Sequence, residues 1–281
     1  MSNQPTKLVS RNIGLMLSGL IDSHVHPVIG DYTPRQQQLH WIDSTLHGGV
    51  TTLISAGEVH MPGRPRDIIG IKAMAIAAQR WYENFRPSGV KVMAGAPMIE
   101  HGMVEQDFKD LADAGVKLLG EVGRGTVKDG KTAKQMVDCA RKYGIQSTIH
   151  TGGPSIPGSG PIDADMVLET GTDVIGHING GHSALPDDQI ICICESCPKR
   201  LEIVHNGNER ATLLTLNTAR ELKYRPHHPW HRCARRLWRA TLGHPADDRH
   251  ARQPRQHARR TGVLLWHRPH HPSAQLGHRH D

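Results

Sequence analysis

Long hydrophobic runs are missing from this chain of 281 residues. No stretch reaches the roughly 18 consecutive apolar residues that a membrane-spanning helix needs. The N-terminus also lacks the basic-then-apolar pattern of a secretory signal. Cysteine is scarce, with five scattered residues, an odd number, which do not make a disulfide framework and fit a reducing compartment. A soluble, cytoplasmic protein without membrane contacts is expected. Lysine is absent beyond position 224. Residues 225–281 hold twelve Arg, no Lys and three Asp, a charge of +9, which leaves residues 1–224 with −2 of the chain's total of +7. That last segment also contains eleven of the 21 His. A basic terminus is usually read as a nucleic-acid arm, but such arms mix Lys with Arg, so nucleic acid is not the expected partner.

What the sequence does have is a regular alternation. Residues 7–19 suggest one or two short strands with a turn at Gly19. Short apolar runs ending in Gly, His or Glu follow at 20–26, 51–57, 91–98, 117–125, 146–153, 173–180 and 201–207, separated by helix-like segments. Thr33-Pro34 can cap and start the first helix, which runs to Gly48-Gly49, and 67–85 carries apolar residues at helical spacing before Pro87. The fold class is α/β. The pattern predicts an incomplete (β/α)8 TIM barrel of about seven βα units, with a doubly wound open sheet as the alternative. The barrel is preferred because polar residues collect at the C-terminal ends of the runs. Three parts are expected: 1–19, a small β remnant; 20–224, the barrel; and 225–281, an irregular Arg/His-rich tail.

The run ends carry the chemistry. Leu20-Ile21-Asp22-Ser23-His24-Val25-His26 leads an apolar run into His-x-His. Because strand side chains alternate, His24 and His26 project to one side and can grip one ion. Glu121 in Gly-Glu-Val-Gly, His150 in Ile-His-Thr-Gly-Gly and His177 in Gly-His-Ile-Asn-Gly-Gly stand at comparable positions, on the face where barrel active sites lie. Any one of these histidines alone is more often a hydrogen-bonded structural residue. Together, five N/O ligands on one rim can hold two divalent metals with Glu121 as the bridge. Cys192, Cys194 and Cys197 lack a fourth partner and lie at the predicted end of a helix, so they are read as incidental thiols.

His-x-His on the first strand, an acidic bridge on the fourth and His on the fifth and sixth resemble the amidohydrolase superfamily. More narrowly, Gly30-Asp31-Tyr32-Thr33-Pro34-Arg35-Gln36, Leu46-His47-Gly48-Gly49-Val50-Thr51-Thr52, Pro62-Gly63-Arg64-Pro65 and His150-Thr151-Gly152-Gly153-Pro154 resemble the enamidase family. The resemblance implies two divalent metal ions, zinc or iron, and hydrolysis of a cyclic amide C–N bond by a metal-bridging hydroxide. The implied reaction converts 6-oxo-1,4,5,6-tetrahydronicotinate to 2-formylglutarate and ammonia, as in nicotinate degradation. The substrate is a small cyclic amide bearing a carboxylate, for which Arg35 and Arg64 are candidate partners. The family also implies a homo-oligomer. Dihydroorotase-like or hydantoinase-like enzymes are an alternative, although they usually place a carbamylated lysine where Glu121 stands.

Two departures from the family bear on activity. The chain passes from Asn12-Ile13-Gly14 through Ser18-Gly19 straight into the first barrel strand, so most of the family's small β-sandwich is absent. After about Leu222, the eighth strand and its Gly-x-Asp-Ala-Pro motif should follow, but no βα pattern is present. With degenerate codons read one base forward, Trp230-His231 and Trp238-Arg239 each become Gly and Arg232-Cys233 permits Asp, which restores the motif in register. A reading-frame slip is therefore expected, and with it an impaired enzyme. The alternative from another class is an inactive barrel whose basic tail binds nucleic acid; its signature would be binding that weakens steeply with salt.

Overall fold

The computed structural model describes residues 7–9, 16–27, 38–57, 63–154, 159–180, 183–196, 199–204 and 207–224. Arg35, Cys197, the Thr33-Pro34 helix start and the whole of 225–281 lie outside the described residues.

The chain opens with an antiparallel pair, β1 (Lys7–Val9) and β2 (Met16–Ser18), with Lys7 opposite Ser18. The turn expected at Gly19 is not there. Gly19 is a single residue between β2 and β3 (Leu20–Val25), because the Leu20 N–H is already committed to the Gly49 carbonyl at 2.8 Å. The order then runs α1 (Gln38–Ser44), β4 (Val50–Ser55), α2 (Ile68–Asn84), β5 (Lys91–Met93), α3 (Glu105–Asp113), α4 (Gly130–Lys142), β6 (Thr148–Ile149), α5 (Ala164–Thr170), β7 (Val174–Ile175), α6 (Asp187–Ser196), β8 (Arg200–Leu201) and α7 (Glu209–Tyr224).

Two parallel sheets result, β3-β4-β5 and β6-β7-β8, each in chain order. The run expected at 117–125 does not form a regular strand. Leu118 and Val122 make single parallel bridges to Gln146 and Ile149. Gly120 and Glu121 donate backbone N–H to Pro97 and Ala56 at 2.9 and 2.8 Å, while Leu119 and Val122 donate to Gln146 and Thr148 at 2.7 and 2.9 Å. This segment thus stitches the end of the first sheet to the second. A Cβ on Gly120 would stand 2.8 Å from the Ala96 carbonyl and 3.1 Å from Gly57 Cα, so only glycine allows the approach.

The helices form where the sequence sets a cap before a periodic apolar face. Asp67, Asp129 and Asp163 accept from the backbone N–H of Gly70, Thr132 and Met166, satisfying first-turn donors of α2, α4 and α5. Asp67 and Phe85 flank α2, as the periodicity over 67–85 predicts. Helix α4 buries Ala133, Met136, Val137 and Ala140, one stripe of a 3.6-residue period. Its stripe joins a core built from Phe108, Leu119, Ile149 and Ile175, while Val25, Ile42, Leu53 and Tyr82 form a second cluster behind β3 and β4. No described helix is long and apolar enough to cross a membrane.

Candidate metal centre

The C-terminal ends of the parallel segments converge on one carboxylate. Glu121 Oε1 lies 3.4 Å from His24 Nε2, 3.4 Å from His150 Nδ1 and 2.7 Å from His177 Nε2, and Oε2 lies 3.9 Å from His26 Nε2. Ring centroids are 5.2 Å apart for His24 and His26, 5.1 Å for His24 and His177, and 4.4 Å for His150 and His177. Two sets able to hold an ion share Glu121: His24, His26 and Glu121, and Glu121, His150 and His177, with donor atoms in each set within 4.8 Å of one another. All five residues singled out from the sequence therefore meet at one place.

The far side of each ring shows what the near side is built for. His26 Nδ1 donates to the Gly57 carbonyl at 2.6 Å, and His24 Nδ1 donates to Glu202 Oε2 at 2.5 Å. With Nδ1 protonated, the neutral rings turn Nε2 lone pairs toward Glu121, which also only accepts. Lone pairs facing a carboxylate repel unless a cation stands between them, so the residues present fit a metal ion. His150 has two choices: Nε2 can donate to the Gly153 carbonyl at 3.0 Å, or accept from Arg124 Nη2, which is packed against it. Only the first leaves Nδ1 free to bind an ion. His177 Nδ1 is buried without a hydrogen-bond partner, and the residue holds φ at 27°, a left-handed backbone that is costly for a side chain this size.

Without an ion, protons take over part of this task. Burial opposes a charged ring at His24, but Glu202 and Glu121 outweigh it and raise the group to about 10. Burial carries His150 down to about 4 despite the neighbouring Glu121. For Glu121, burial works upward, yet hydrogen bonds with His150, His177 and His24 hold it well below the usual carboxylate range. Asp22, one turn of the pleat before His24, is pushed up mainly by burial.

The sequence reading missed Glu202 and Arg124. Arg124 is 3% exposed, its Nε is 4.0 Å from Glu121 Oε2, and its Nε and Nη1 have no hydrogen-bond partner. Arg64 donates to Glu100 Oε1 at 3.2 Å and to the Pro65 carbonyl at 3.4 Å, so its guanidinium is engaged in a buried pair. In α6, Cys192 is exposed and Cys194 buried, on different sides of the helix, and they do not converge on a metal.

No protein-family model matches the chain. It is 48% identical over 192 residues to enamidase from Eubacterium barkeri, a match spanning 68% of this chain and 50% of that protein. A crystal structure of enamidase, described as a member of the amidohydrolase superfamily, superposes with a TM-score of 0.68 at 47% identity, covering 72% of this chain and 53% of the other. The chain thus spans about half the length of the enzyme it matches. By sequence and by fold over that half, it is a relative of enamidase in the amidohydrolase superfamily.

Proposed function

We propose that residues 20–224 are the core of a metal-dependent hydrolase acting on a cyclic amide, arranged as a (β/α)8 barrel lacking its eighth unit. The substrate read from the resemblance is 6-oxo-1,4,5,6-tetrahydronicotinate, opened to 2-formylglutarate and ammonia. The observation that carries the reading is the orientation of His24 and His26: their Nδ1 donors are spent on Glu202 and Gly57, which leaves Nε2 lone pairs aimed at a carboxylate.

Bound there, two divalent ions of zinc or iron supply a Lewis acid for the amide carbonyl and lower the pKa of the attacking water. Glu121 lies between the two histidine pairs, with Oε1 facing His24, His150 and His177 and Oε2 facing His26, so it would link the two sets. His24 and His26 form one half of the grip, His150 and His177 the other. Tightly packed glycines bring the segment ends close: a Cβ at Gly120 would stand 2.8 Å from the Ala96 carbonyl oxygen, and one at Gly176 2.7 Å from that of Ile149. Arg35 and Arg64 are the candidates for the substrate carboxylate, and Arg64 reaches it only by sharing or leaving Glu100.

Residues 225–281 contain no Gly-x-Asp-Ala-Pro, the motif whose aspartate in the family binds metal and carries the proton to the leaving nitrogen. Low or absent turnover is expected. Elemental analysis of the purified chain beside a His24→Ala, His150→Ala double variant tests the centre: metal in the first and none in the second is expected, and a metal-free wild type after zinc loading refutes it. Robust ammonia release from the lactam would refute the impairment. Sequencing the locus around the codons of Leu222 to Arg225 tests the frame slip, which an unambiguous intact frame would exclude.

A further inference from the structure

Glu202 has no part in the metal-binding sets, yet its placement is as specific as theirs. Its backbone is laddered on both sides to the His177 segment: the Glu202 N–H donates to the Ile175 carbonyl at 2.9 Å, and its carbonyl accepts from the Ile178 N–H at 3.0 Å. The side chain, 10% exposed, is saturated from two directions. Oε1 accepts from Ser23 Oγ at 2.7 Å, and Oε2 accepts from His24 Nδ1 at 2.5 Å and from the His177 N–H at 3.3 Å.

We propose that Glu202 is the positioning residue of His24, holding its imidazole in the Nδ1–H form and at the angle that presents Nε2 to the ion shared with His26 and Glu121. The proposal rests on the metal-centre reading above. His26 and His150 have backbone carbonyls behind them, at Gly57 and Gly153. Behind His24 stands an anion. An anionic acceptor draws the Nδ1 proton more strongly than a neutral carbonyl and makes Nε2 the better electron donor. It also leaves no choice of tautomer, since a carboxylate cannot donate. The two halves of the centre are therefore unequal, and the half containing His24 depends on a side chain that substitution can remove.

The test is zinc titration of the full chain in competition with a chromophoric chelator, for wild type, Glu202→Ala, Glu202→Gln and a His26→Ala reference that identifies the affected equivalent. Two equivalents are expected for wild type. In Glu202→Ala the equivalent that His26→Ala also loses should weaken roughly 10- to 100-fold, with the other unchanged. In Glu202→Gln, whose amide oxygen can still accept from Nδ1, the same equivalent should weaken by less. A purely structural role would lower the melting temperature of the metal-free protein and weaken both equivalents together, which overturns the proposal. If Glu202→Ala does not fold, Glu202→Gln decides alone, and wild-type affinities at both positions overturn it. Two wild-type equivalents with no effect of either variant sink the role of Glu202 only, whereas a wild type that takes up no zinc sinks the centre as well.

Discussion

At the scale of single residues, the centre is a contest between protons, Arg124 and metal for the same lone pairs. In the metal-free protein His24 is raised from 6.5 to about 10. A group raised in the folded state gives stability that is complete below 6.5 and lost as pH climbs through its folded value. His150, lowered to about 4, adds the opposite slope, since the unfolded chain binds its proton first and stability falls as pH drops from 6.5 toward 4. Chelator-stripped protein should thus have its highest urea midpoint near pH 6.5 and decline toward 10; zinc, which holds the rings neutral, should flatten the alkaline limb. A stripped protein with no alkaline decline would contradict the assignment at His24. Arg124 makes a second prediction. By donating to His150 Nε2 it favours the tautomer whose Nδ1 carries a proton and cannot ligate. It also places a positive charge 4.0 Å from Glu121. Arg124→Met should therefore tighten zinc at the Glu121, His150 and His177 set, and it removes two buried nitrogens whose N–H groups have no acceptor, each unmade bond costing about 1–3 kcal/mol. Weaker zinc in that variant would show instead that the guanidinium supports the site. The candidate ligands were legible because His24 and His26 close an apolar run as His-x-His, and Glu121, His150 and His177 each end one beside glycines. Glu202 was not, because Leu201-Glu202-Ile203-Val204 reads as an ordinary alternating strand, and what gives the carboxylate its task is a histidine 178 residues away in sequence.

At the scale of elements, the site depends on how tightly strand ends can crowd. The segment 117–125 is the clearest case. Its apolar residues predict a strand, but it is inserted between the backbone of Ala56 and Pro97 on one side and that of Gln146 and Thr148 on the other, and pairs through single bridges. Periodicity reveals which residues turn inward; it does not reveal that a segment must narrow to one glycine to pass between two neighbours. Gly120→Ala should push Glu121 out of line with the imidazoles, costing about 1–3 kcal/mol of stability through overpacking and weakening zinc at both sets. Gly48→Ala, where a Cβ meets nothing within 4 Å, is the matched control and should leave both nearly unchanged. Equal effects of the two variants would mean that the close approach at Gly120 is not what holds Glu121. Helix α2 was readable to within one residue at each end because its apolar spacing and the proline after it are local signals. The absence of a turn at Gly19 was not, since it depends on a hydrogen bond to Gly49 across the sheet.

At the scale of the whole molecule, two strand edges stand out among the described residues. Among the described residues, β3 ends one parallel sheet and β8 ends the other. At the start of β3, Leu20 and Ile21 are 47% and 48% exposed, and Ile21 points to the side opposite His24. An eighth unit in a closed barrel would pair the free edges of both strands. Among the described residues no strand pairs the outer edge of β3 or of β8, and at β3 that edge lies beside exposed apolar side chains, the combination that recruits a further strand from another molecule. Self-association that grows with protein concentration is therefore expected by light scattering of zinc-loaded chain. Ile21→Lys sets a charge on the exposed face of β3, away from His24, so it should move association to several-fold higher concentration while zinc uptake stays at the wild-type level. Chain that scatters as a monomer at every concentration would mean the β3 edge is already covered. Association unaffected by Ile21→Lys would place the contact elsewhere, with β8 the next edge to charge.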